Sequence, residues 1–215
     1  MSHRYQKCTE DAEQAFIFTW HTEHHVTTAT QDERSESVNS YVTNMLALEK
    51  HIQTALVGQI ADLDEQAEIK GALIRIHAMC ESHVRSLEAV TASREQNLGG
   101  VSKVLKKAAS SVLGLGAAAV DFIRTEKSPK NLRDDYTALS LAYIGYVMLH
   151  TSALALGDEE VGKMAGVHMA AHAEALMSLQ QLIPDATIAY LVAEEMNPDS
   201  SVLATVKATI SQSWK

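Results

Sequence analysis

The chain has 215 residues, of which 46% are hydrophobic and 21% charged, a composition typical of a globular domain with a sizeable core and not of a disordered chain. Its 18 lysines and arginines are outnumbered by 27 aspartates and glutamates, which leaves a formal net charge of −9. Because this charge repels phosphate backbones and anionic lipids, neither nucleic acid nor a membrane is an expected partner.

Residues 1–33 show no sustained hydrophobic period and are predicted to be an N-terminal extension. Their one apolar cluster, AFIFTW at 15–20, is a candidate contact with the rest of the fold or with another subunit. The nearby histidines His21, His24 and His25 are assigned no function, because histidine-rich tails bind metals nonspecifically. The start of the chain has no apolar signal-peptide core, and two cysteines cannot form a disulfide framework, so a cytoplasmic location is expected.

Four long segments repeat apolar residues at three- and four-residue steps, which predicts amphipathic helices at about 34–63, 67–94, 132–156 and 159–182. The abundance of good helix formers and the presence of only three prolines favour helix nearly everywhere. In the third segment, the predicted inward stripe is Leu132, Tyr136, Leu139, Tyr143, Val147 and Leu154.

Short links at 62–66 and 156–160 predict two antiparallel helical hairpins. In the second link, Gly157 is suited to end one helix and Asp158 to cap the next. The long segment between the hairpins, 95–131, is predicted to be helical from about 101 to 124. Two hairpins joined by a long crossover are the connectivity of ferritin-like bundles. The predicted fold is therefore all-α: a ferritin-like four-helix bundle over 34–182, a crossover at 95–131 between helices two and three, and a C-terminal helical tail at 183–215.

The stretch from Thr137 to Gly157 carries no acidic residue, lysine or arginine, and about 20 such residues can span a bilayer. Its serines, threonines and His150 would each need a partner in lipid, and no cationic cluster flanks both ends. We therefore interpret it as a buried central helix and not as a membrane span.

Polar side chains interrupt the apolar stripes near the middle of the predicted helices. Glu49 lies in the first stripe, His83 or His77 at the edges of the second, and His168 with His172, four residues apart, on the fourth. If the stripes converge, these groups meet in the interior. Imidazole and carboxylate ligands suit a divalent transition metal such as iron or zinc. The candidate metal ligands are Glu49, His83, His168 and His172.

A metal-free interpretation explains the same residues. A hydrogen-bonded pair of histidine and glutamate, completed by the hydroxyl of Tyr143 or Tyr146 in the third helix, would satisfy the buried polar groups without an ion. Cys80, in the centre of the second stripe, is then a small buried hydrophobic residue.

The segments MLALEKHIQTAL, ESHVRSLEAV and SALALGDEEVGKMAGVHMAAHAEALMSL resemble the ferritin-like bacterial stress proteins of the YciE/YciF type, over about residues 34–182. This resemblance implies a ferritin-like bundle with a crossover, often dimeric. A ferritin-like di-iron site uses glutamates on two helices and Glu-x-x-His on the other two. Of that set only Glu49 matches: Val84 stands three residues after Glu81, and His168 and His172 stand where glutamate is expected. A di-iron carboxylate site is therefore not expected.

A hemerythrin-like bundle is a second resemblance, based on His77-x-x-x-Glu81 and His168-x-x-x-His172, but residues 183–215 contain no histidine for the later ligand. The predicted function is a ferritin-like bundle of the stress-response type with no catalytic residue assigned, which binds at most one divalent metal. The alternatives are an unusual metal-dependent oxidoreductase and a non-catalytic structural or partner-binding bundle. The resemblance and the AFIFTW cluster together predict a homodimer.

Overall fold

The computed structural model describes residues 29–63, 66–97 and 128–213, and these residues form helices and turns, with no strand among them. In chain order the helices are α1 (Gln31–Asp62), α2 (Ala67–Asn97), α3 (Ser128–Ala155), α4 (Glu159–Ala193) and α5 (Val202–Ser213). The all-α prediction is confirmed for this part of the chain. Residues 1–28, which include AFIFTW, and residues 98–127 of the predicted crossover lie outside the described residues.

The chain divides into two units, Met1–Glu33 and Arg34–Lys215. Within the described end of the first unit, Thr30 and Glu33 form a capping box. The Thr30 backbone N–H donates to Glu33 Oε2 at 2.7 Å, and the Glu33 backbone N–H donates to Thr30 Oγ1 at 3.3 Å. These two bonds satisfy N–H groups that a helix start leaves without partners.

The turn between α3 and α4 has the predicted residues in the predicted roles. Gly157 has a φ of 82°, which a residue without Cβ adopts at little cost. Asp158 caps α4 by accepting a hydrogen bond from the Val161 backbone N–H at 3.2 Å. The helix that follows is longer than predicted: it continues through Pro184 to Ala193, because its apolar stripe continues beyond the proline with the buried Ala186.

Within the second unit, contacts between side chains give the directions of the first two helices. Lys50 of α1 pairs with Glu88 of α2, with 2.6 Å between Nζ and Oε1. Near the start of α1, Asn39 accepts a hydrogen bond from Arg94, near the end of α2. Since later residues of α2 contact earlier residues of α1, the two helices are antiparallel.

The directions of α3 and α4 follow in the same way. Gln59 near the end of α1 donates to Asp135 near the start of α3 at 2.7 Å, so α1 and α3 are antiparallel. His150 near the end of α3 hydrogen-bonds the Gly162 carbonyl near the start of α4 at 2.7 Å, so α3 and α4 are antiparallel too. It follows that α2 and α3 run in the same direction.

The buried face of α3 differs from the predicted stripe. Tyr136, Tyr143 and Val147 are only half-buried and Leu154 is exposed. The buried residues are Leu132, Asp135, Leu139, Ala142, Tyr146, Leu149 and Ala153. The prediction is confirmed for Leu132 and Leu139. It was wrong for the other four residues, because this segment has too little polar contrast for the sequence to select one register. Close approach to α1 favours the observed one, since a Cβ on Gly145 would lie 2.5 Å from the Met45 sulfur.

Among the described helices, α3 is long and apolar enough to span a membrane by length and composition. The sequence predicts that it is a buried central helix, but only one of its faces is buried. Leu141, Ile144 and Met148 on the other face are exposed. The helix therefore has two apolar faces, of which the described chain covers one.

Candidate metal centre

Glu49 is a fully buried carboxylate in the middle of α1, between the buried residues Met45 and Ile52. Its Oε1 accepts three hydrogen bonds, one from each of the other three long helices. The donors are His83 Nδ1 of α2 at 2.9 Å, Tyr146 Oη of α3 at 2.8 Å and His172 Nε2 of α4 at 2.8 Å. One oxygen atom thus joins α1, α2, α3 and α4.

Glu49, His83 and His172 form a group that can hold a metal ion. One carboxylate oxygen and one ring nitrogen from each histidine all lie within 4.8 Å of one another. Ligands bound at about 2.1 Å around a tetrahedral ion lie roughly 3.5 Å apart. Small side-chain movements are therefore enough to bring the three atoms onto one ion.

Glu49 is the carboxylate of the cluster. Burial alone would raise the pKa of this carboxyl, but the hydrogen bonds from His172 and His83, and the positive charge these rings carry when protonated, lower the pKa to about 2. The carboxylate is therefore ionised at neutral pH. Its second oxygen, Oε2, is buried and has no hydrogen-bond partner among the described residues. A buried carboxylate oxygen without a partner is costly, and a cation would stabilise it.

Tyr146 and Cys80 are two further polar groups beside Glu49. Burial, and next the negative charge of Glu49, raise the pKa of the Tyr146 hydroxyl and of the Cys80 thiol. Both groups therefore stay protonated at neutral pH, and Tyr146 acts as a hydrogen-bond donor. Of the two tyrosines considered from the sequence, Tyr146 contacts Glu49, whereas Tyr143 is only half-buried.

His168, the fourth ligand predicted from the sequence, is buried beside the cluster but does not belong to the group of three. Its ring stacks on the ring of His83, with 3.8 Å between ring centroids and 18° between ring planes. Burial, and next the charge of His83, lower the pKa of His168 to about 3. The His168 ring is therefore uncharged at neutral pH and lines the site beside His83. His77, the alternative to His83, is half-buried and lies outside the group.

A second buried polar pair was missed by the sequence analysis. Gln59 Nε2 donates to Asp135 Oδ1 at 2.7 Å, and both side chains are buried. Burial raises the pKa of Asp135 to about 7, and the negative charge of Asp134 adds to this effect although the hydrogen bond from Gln59 opposes it. The sequence did contain a signal: Asp135 lies three residues after Leu132 and four before Leu139. The wrong register assigned to α3 concealed it.

No protein-family model matches the chain, and no curated protein does. A protein from Xanthomonas campestris pv. campestris, known from its crystal structure, is similar in fold. It has a TM-score of 0.58 and 15% sequence identity, and the match covers 75% of this chain and 98% of that chain. At this identity the similarity concerns the fold alone, and it agrees with the all-α class.

Proposed function

We propose that this chain is a ferritin-like four-helix bundle protein that binds one divalent transition metal ion through Glu49, His83 and His172. The supporting observation is that three ligand atoms from three helices meet within 4.8 Å at a buried site. The unpartnered Oε2 of Glu49 adds a position at which a cation would be stabilised.

The three ligand atoms, one carboxylate oxygen and two imidazole nitrogens, determine which metal ions the site prefers. Two imidazoles and one carboxylate are ligands for zinc and for non-haem iron(II), whereas calcium and magnesium prefer oxygen ligands alone. Among the described residues the group contains one carboxylate, so the bridging carboxylates of a di-iron site are lacking. The proposal is therefore a single iron or zinc ion, with no catalytic residue assigned.

The ferritin-like arrangement is the second part of the proposal. It is supported by the two antiparallel pairs, α1 with α2 and α3 with α4, and by the common direction of α2 and α3. Parallel second and third helices are what a long crossover between two hairpins produces. The bacterial stress-response context and the cytoplasmic location come from the sequence and its family resemblance, and they remain proposals.

A metal-free hydrogen-bond network is the rival function of these residues, and one observation favours it. A histidine that binds a metal normally donates its other ring N–H to an acceptor. If His172 bound metal through Nε2, its Nδ1 would carry the proton, and this buried atom has no partner among the described residues. In the rival account the cluster only stabilises the junction of the four helices.

Metal binding by untagged protein distinguishes the two accounts. Replacing His3, His21, His24 and His25 with Gln gives a background without the N-terminal histidines. In this background, titration of chelator-treated protein with Zn²⁺, and with Fe²⁺ under anaerobic conditions, should give about one ion per chain for at least one of the two metals. The bound ion should also raise the melting temperature, because a ligand selective for the folded state stabilises it.

The matched variants are Glu49→Gln, which should abolish stoichiometric binding, and His51→Gln, which should not. His51 lies on the same helix, is half-buried and is outside the group of three. Absence of binding for both metals, or equal binding by both variants, would refute the proposed metal site and support the hydrogen-bond network.

A further inference from the structure

The outer face of α3 is apolar and regularly spaced. Leu141, Ile144 and Met148 are 60%, 52% and 48% exposed. They belong to a series of exposed residues separated by alternating steps of four and three: Thr137, Leu141, Ile144, Met148, Thr151 and Ala155. This is the heptad spacing with which one helix packs along another. We call these six residues the outer stripe.

We propose that a second copy of this chain covers the outer stripe, with the two α3 helices packed antiparallel about a two-fold axis at Ile144. A two-fold interface uses the same patch on both partners, so the patch must be complementary to itself. Thr137 and Thr151 are each seven residues from Ile144, so each threonine faces the other across the axis. Leu141 and Met148 are three and four residues from Ile144, so they come next to each other across the axis with an offset of one residue, and Ile144 faces its own counterpart.

The distribution of charge supports this occupant. The chain has a net charge of −9, so two copies repel each other over much of their surface. From Thr137 to Ala155 there is no aspartate, glutamate, lysine or arginine. The outward sides of α2 and α4, in contrast, carry exposed ion pairs, Glu81 with Arg85 and Glu159 with Lys163. The outer stripe is thus a surface on which two copies can meet without a like-charge contact.

The opposite face of α3 argues against lipid as the occupant. Tyr146 and Asp135 on that face hydrogen-bond to Glu49 and Gln59 of α1. If α3 spanned a bilayer, these buried bonds to a polar partner helix would have to break or enter lipid. A second copy covers the outer stripe and leaves these bonds unchanged. The proposed pairing is independent of metal binding.

The test is the molar mass of the full chain without detergent, measured by sedimentation equilibrium. The wild type should have twice the chain mass of 23.4 kDa, and Ile144→Glu should have the single-chain mass with unchanged helical circular dichroism. Val167→Glu is the matched control, because Val167 is 68% exposed on α4 and outside the outer stripe. This variant should remain a dimer.

A cross-link tests the position of the axis even if Ile144→Glu fails to fold. In a Cys8→Ser background, the remaining native cysteine, Cys80, is buried. Ile144→Cys should then give a covalent dimer under mild oxidation, because this position faces itself, whereas Val167→Cys should not.

Two results would overturn the proposal. A monomeric wild type would do so, and so would a dimer that Ile144→Glu leaves intact, which places the interface elsewhere. A monomeric wild type is then tested for binding to lipid vesicles through the outer stripe, and for a melting temperature that falls with Ile144→Glu and not with Val167→Glu. Such a monomer would assign the stripe to lipid or to another segment of the same chain.

Discussion

At the scale of single residues, the cluster depends on one buried oxygen atom. Glu49 Oε1 accepts bonds from His83, Tyr146 and His172, and hydrogen bonds to an ionised acceptor are stronger than those between neutral groups. Glu49, His83 and His172 could be predicted from the sequence because each is a polar residue on or at the edge of a clear apolar stripe. Tyr146 could not be distinguished from Tyr143, because both lie in a segment that offers several registers.

Glu49→Ala should lower the free energy of unfolding by about 2–4 kcal/mol, because it leaves three buried donors without an acceptor. Urea denaturation measures this loss. Glu88→Ala is the control: its partner Lys50 and Glu88 itself are about half exposed, so the change should be below about 1 kcal/mol. Equal losses for the two variants would show that the cluster does not stabilise the fold.

The raised pKa of Asp135 predicts that the free energy of unfolding depends on pH. Its pKa is about 7 in the folded protein against an ordinary value of 3.8, so between about pH 4 and pH 7 the folded state binds more protons than the unfolded state. Stability contributed by the protonated carboxyl is therefore full below about pH 4 and is lost as the pH rises through 7. Glu49, with its pKa of about 2, stays ionised throughout this window.

Urea unfolding of the wild type and of Asp135→Asn at pH 4, 5.5, 7 and 8 tests this dependence. The amide cannot ionise, so the stability of the wild type relative to the variant should fall from pH 4 to about pH 7 and level off toward pH 8. A constant difference across this range would mean that Asp135 has an ordinary pKa.

At the scale of helices, periodicity predicted the four long elements, because their apolar residues recur at helical steps. The end of α4 could not be predicted, because a proline within a helical pattern often ends the helix. Here α4 continues through Pro184, and its buried stripe includes Ala186. The inward face of α3 could not be predicted either. A helix that is apolar on two sides carries no sequence signal for which side faces its own chain, and packing against Met45 at Gly145 is visible only in three dimensions.

Two glycines should respond in opposite ways to replacement by alanine. Gly157 has a φ of 82°, so Gly157→Ala should destabilise the protein by about 1–2 kcal/mol. Gly58 lies within α1 with no atom near the position of an added Cβ, so Gly58→Ala should stabilise it by about 0.5–1 kcal/mol. Thermal and urea unfolding measure both. A destabilising Gly58→Ala, or a neutral Gly157→Ala, would contradict the described backbone.

At the scale of the whole molecule, composition and the helical spacing of apolar residues are enough to predict the all-α class. They are not enough to predict that the polar side chains of different helices meet at one place. For these side chains to meet, Glu49, His83 and His172 must lie at the same height along α1, α2 and α4. That height depends on how far the helices are shifted along one another. Spacing along the chain shows neither the stagger nor that His168 lies outside the group formed by Glu49, His83 and His172. His168 and His172 share one face of α4, yet only His172 hydrogen-bonds to Glu49.

The position of a bound ion is the most direct test of the central claim, and anomalous X-ray diffraction at the zinc or iron edge from metal-loaded crystals measures it. We expect one strong peak in the interior, about 2.0–2.2 Å from a Glu49 carboxylate oxygen and from one ring nitrogen each of His83 and His172. His168 would remain stacked beside the ion without contacting it. Metal-loaded crystals with no peak there, and with both histidines still hydrogen-bonded to Glu49, would contradict the proposed metal site.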